Sequence, residues 1–104
     1  MRTMTEIKKE RKYRQMIYPF NRIIIDLKTG KPITDNDIIE CKHEIFKSME
    51  EMKKKLNRRK ITFDVFKMLE NDAKELNRCI DKKDADEIDF QAIRFCLNCT
   101  RNMV

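Results

Sequence analysis

Beyond Pro32 the chain runs for 72 residues with neither glycine nor proline. The single glycine, Gly30, and both prolines, Pro19 and Pro32, lie in the first third. With the two strongest helix breakers missing, long helices are the expected outcome over the remainder. A chain of 104 residues folds as one domain around one modest core. Hydrophobic and charged residues each make up 40%, and the apolar ones are patterned, which argues against a disordered tail.

The patterning divides the chain into three parts. Residues 1–20 read as a basic N-terminal helix or arm, helical from Glu6 to Tyr18 and broken at Tyr18-Pro19-Phe20. Residues 21–34 read as a short β-ribbon. Ile23, Ile24 and Ile25 in succession are the strongest β signal in the sequence, Lys28 to Lys31 form a turn, and Lys31 to Thr34 fold back. Residues 35–104 read as an antiparallel three-helix bundle. Thr34 and Asp37 are spaced as a capping box for the first helix, which runs to about Arg59. Thr62 caps the second, whose stripe is Phe66, Leu69, Ala73, Leu76 and Ile80. Asp84 or Asp86 opens the third, which runs to about Asn102. The expected fold class is mainly α, with the arm and ribbon packed on one side of the bundle.

The last helix has more apolar surface than an edge helix buries. At about 100° per residue, with Phe90 at the origin, Ile93, Leu97 and Val104 gather within about 60° of it. A second group, Ile88, Ala92, Phe95, Cys96, Cys99 and Met103, spreads over about 100° on the other side. Only Gln91, Arg94, Asn98 and Arg101 make a polar arc. Either this helix is central and buried on both sides, or the second group forms an exposed patch for a partner or a second copy. On the latter reading Ile88, Phe95, Cys99 and Met103 are the binding residues. Ile24 joins them from the ribbon, whose open edge could accept a strand.

Charge is unevenly placed. Residues 1–16 carry six basic and two acidic side chains and residues 42–60 carry eight and three, whereas 17–41 and 61–104 come to −1 and −2. Lys8, Lys9, Arg11 and Lys12, with Lys54, Lys55, Arg58, Arg59 and Lys60, are the candidate nucleic-acid-binding residues. Two features weigh against them. The second cluster scatters around its helix axis, and no aromatic residues are interleaved with the cations.

Catalysis is not expected. One glycine cannot build a phosphate-binding loop, no Ser or Cys has a base nearby, and acidic pairs at helix starts are accounted for by capping. Cys41, Cys79, Cys96 and Cys99 follow no apolar leader, which fits free thiols in a reducing, cytoplasmic setting. Cys96-x-x-Cys99 invites a zinc reading. The other two cysteines fall in mid-helix, and Cys41 and His43 project about 160° apart on theirs. No metal or cofactor is expected, although a small zinc domain held by the four cysteines is a third alternative. No apolar run approaches the roughly 20 residues a membrane span needs.

The leading expectation is a non-enzymatic protein-binding module with a larger protein partner, able to self-associate. In size, Lys- and Ile-rich composition and charge, the chain is like the small regulators that phages and viruses place on host replication or transcription machinery. A basic DNA- or RNA-binding regulator is the alternative.

Overall fold

The computed structural model describes residues 2–103, and among them it contains four α-helices and no strand. The helices are α1 (Met4–Thr29), α2 (Asp35–Asn57), α3 (Phe63–Lys82) and α4 (Ala85–Arg101).

The first third departs most from expectation. One helix of 26 residues replaces the arm, the break at Pro19 and the β-ribbon. Tyr13, Met16, Ile17, Phe20, Ile23, Ile24 and Leu27 recur in steps of three and four. Five of them are buried, while Tyr13 and Leu27 pack against the core. Burying an apolar side chain of this size is worth about 1.5–3 kcal/mol. Five such residues outweigh the roughly 3 kcal/mol that a proline costs inside a helix. Two of the three consecutive isoleucines therefore serve a helical stripe, and only Ile25, 58% exposed, is left outside it. The helix ends at Gly30, whose φ of 77° suits glycine alone without strain. Residues 31–34 are an irregular link, not a returning strand.

The other three helices follow their caps. Thr34 and Asp37 form the reciprocal capping box, with the Asp37 N–H donating to Thr34 Oγ1 at 3.2 Å and the Thr34 N–H to Asp37 Oδ2 at 3.1 Å. Thr62 accepts from the Val65 N–H at 3.2 Å, and Asp84 accepts from the N–H groups of Asp86 and Glu87 at 3.1 Å.

The links are short, so sequence neighbours run antiparallel. Ion pairs fix the register: Lys12 to Glu51 at 3.3 Å and Arg22 to Asp37 at 3.6 Å join α1 to α2. Lys42 to Asp81 at 2.6 Å joins α2 to α3, Arg94 to Asp72 at 3.3 Å joins α4 to α3, and Lys28 to Asp86 at 3.7 Å joins α1 to α4. Each helix thus packs on its neighbours, and α4 returns to α1, where the packing is most extensive. The body is a ring of four helices, because the expected arm is its fourth member. At about 1.5 Å per residue α1 is about 39 Å long, close to the longest dimension of the molecule, 43 Å. No described helix is long and apolar enough to cross a membrane.

Candidate nucleic-acid interface

The five residues expected to meet a protein partner do not form a surface. Ile88, Phe95 and Cys99 are fully buried, Ile24 is 6% exposed, and Met103 packs against the core. Because α4 lies between α1 and α3, its wider apolar arc faces inward. The surplus apolar surface is real, but it belongs to the opposite side. Phe90 is 63% exposed and Ile93 and Leu97 are each 39% exposed, in one line at i, i+3 and i+7. Val104, expected on that line, lies outside the described residues.

The basic residues fare differently. Lys8 and Lys12 are one turn apart on α1, and Glu51, Lys55 and Arg58 lie on one face of α2 at i, i+4 and i+7. The Lys12–Glu51 pair sets these two faces against each other. Since the helices are antiparallel, one turn back along α1 meets one turn forward along α2. By that register Lys8 falls level with Lys55, with Arg58 about one turn beyond. These cations gather along the α1–α2 junction, where Lys12 pairs with Glu51. Lys54 and Arg11 flank it and are exposed, and Lys9 is half-buried.

This end of the molecule also holds the start of α3 and the end of α4. Residues 2–16 carry six basic and two acidic groups, residues 50–72 seven and five, and residues 94–103 Arg94 and Arg101 alone. The cationic end therefore carries +8 against a net +6, and the rest of the chain −2. Among these cations Lys12 meets Glu51, Arg2 and Arg14 share Glu10, and Lys67 meets Glu70 at 3.1 Å. That contact, above all its hydrogen bond, holds the Glu70 carboxyl below its usual range.

The link between α2 and α3 forms the rim of this end. The Lys60 N–H donates to the Lys55 carbonyl at 2.8 Å and the Arg59 N–H to the Leu56 carbonyl at 3.0 Å. This is a Schellman closure, with Arg59 at φ 58° in the place that glycine usually takes. Just past the cap stands Phe63, 60% exposed, with the Lys67 ammonium 5.5 Å from its ring centroid. The sequence reading found no aromatic among the cations and overlooked this one. Its signal was its position about 100° off the Phe66–Leu69–Ala73 stripe, at the first residue of a helix.

The cysteines are core residues. Burial first, and nearby carboxylates second, push the Cys41 and Cys99 thiols up to about 12. Burial raises Cys96 and Cys79 as well. Cys41 donates to the Pro19 carbonyl at 3.4 Å. His43 is exposed on the far side of its helix, so it and Cys41 do not converge. Among the described residues no three His, Cys, Asp or Glu side chains gather as metal ligands.

A cavity of about 330 Å³ between α3 and α4 is lined by Glu75, Cys79, Asp86, Glu87, Phe90 and Gln91; the Cys79 thiol donates to Glu75 Oε1 at 4.0 Å, and burial with the nearby carboxylates raises its pKa. Sequence reasoning also missed Asp72. It is 6% exposed and tied across helices to Arg94 and to Asn98 Nδ2, the latter at 3.1 Å. Comparison with family models, with curated proteins and with solved structures finds no match for this chain.

Proposed function

We propose that this chain is a non-catalytic nucleic-acid-binding protein that holds a phosphate backbone at its cationic end. The reading is supported by the Lys12–Glu51 pair, whose antiparallel register brings Lys8 of α1 level with Lys55 of α2, with Arg58 close beyond. Two basic segments some forty residues apart become one surface, and the opposite end carries the acidic excess. Phosphates are recognised by clustered Lys and Arg with little internal neutralisation, and binding is driven by release of the counterions they hold.

The test is a salt titration of binding to a labelled mixed-sequence oligonucleotide. Six cations, the four at the α1–α2 junction with Arg59 and Lys60, give a slope of log affinity against log salt of about −4 on a single strand. Replacing Lys8, Lys55 and Arg58 together with glutamine should flatten that slope by about 2. Absence of binding at low salt, or equal binding of polyglutamate, would sink the reading.

A second reading keeps the protein-binding module but moves its surface. Phe90, Ile93 and Leu97 form an exposed apolar line on α4, of the kind that docks on another protein or a second copy. A small regulator that occupies host replication or transcription machinery would use such a line. A protein recovered from lysate after nuclease treatment by the parent chain, and lost with Leu97→Asp, would favour it.

A further inference from the structure

We infer that Phe63 is a stacking platform for an unpaired base, so that the cationic end takes single-stranded nucleic acid in preference to duplex; this rests on the phosphate-binding reading above. Four aromatic side chains are largely exposed, namely Tyr18, Phe46, Phe63 and Phe90. Of these, Phe63 alone sits at the cationic end, three residues beyond Lys60 and at the first position of α3. Phe63 is 60% exposed. The Lys67 ammonium, which also meets Glu70, lies over one face of the ring, 5.5 Å from its centroid.

An exposed π-face rimmed by cations is what a single strand needs. The backbone follows the charges, and a splayed base stacks on the ring whatever its identity. A duplex keeps its bases stacked on one another and offers only phosphate to the same surface.

The experiment compares the full chain with Phe63→Ala, Phe63→Leu and Phe63→Trp. Each is titrated by anisotropy with a labelled mixed-sequence 20-mer, single-stranded and as duplex, at one fixed salt. The parent should bind the single strand more tightly. Phe63→Ala and Phe63→Leu should lose about ten-fold on the single strand, with under about two-fold change on duplex and the same salt slope. Phe63→Trp should restore affinity. Since the chain has no other tryptophan, quenching of its fluorescence by the single strand reports the stack directly. If the parent binds both forms equally and Phe63→Ala changes neither, the stacking inference is overturned while the cationic surface stands. If the parent binds neither form, both fall.

Discussion

Side by side, the buried thiols and the exposed ring set opposite demands on single residues. Cys41, Cys96 and Cys99 are fully enclosed and behave as small apolar groups that must stay protonated. Their folded-state pKa values, about 12 for Cys41 and Cys99, lie above the ordinary 9.0. The unfolded chain therefore releases these protons first as pH rises. Stability is fully present below about pH 9 and is lost as pH climbs toward 12, by about 1.4 kcal/mol per unit and thiol. Urea midpoints at pH 8 and pH 10 should separate accordingly, and a midpoint unmoved by pH would contradict the enclosed thiols. Phe95 is equally enclosed. Phe95→Asp should therefore unfold the domain, visible as loss of helical circular dichroism, because a carboxylate there has no partner. A folded variant would return Phe95 to the surface.

Along single elements, α1 holds the main tension. Pro19 removes the hydrogen bond to the Gln15 carbonyl and crowds the preceding turn, yet the helix continues through it. Pro19→Ala should stabilise the fold by about 1–3 kcal/mol, once the greater freedom of the unfolded alanine chain is discounted. The check is the urea midpoint at constant slope, and a destabilised variant would mean that α1 needs the proline's local bend to reach α4.

The same element shows where sequence is legible. Caps at Thr34, Thr62 and Asp84, and the stripe of α3, follow from local rules that the tertiary structure leaves intact. The triple isoleucine does not, because its β preference is local while the steps from Tyr13 to Leu27 are settled by what they pack on. On α4 the amount of apolar surface was readable. Which side faced inward was not, since that depends on α1 and α3 flanking it. The nine basic candidates were identifiable by composition, but their union across α1 and α2 needed the register that Lys12 and Glu51 supply.

At the scale of the whole molecule, charge is sorted lengthwise, +8 at one end against −2 elsewhere. Like charges at one end repel, so moderate salt should stabilise the isolated protein. Between about 0.01 M and 0.1 M the screening length falls from about 30 Å to about 10 Å. A gain of about 1 kcal/mol there would raise the melting temperature by roughly 4–8 °C. A melting temperature that falls over this range would show that ion pairs outweigh the repulsion.

The most extensive seam joins α1 to α4, elements with 55 residues between them. Every sequential pair of helices closes over a link of a few residues, so the late event in folding is the docking of the α1–α2 hairpin on the α3–α4 hairpin across this seam. Nothing in that docking distinguishes a hairpin of the same chain from one of its neighbour. Straightening the link at Arg59 would also release its left-handed backbone. Refolding at high concentration is therefore expected to yield exchanged dimers, each seam intact but shared between two chains.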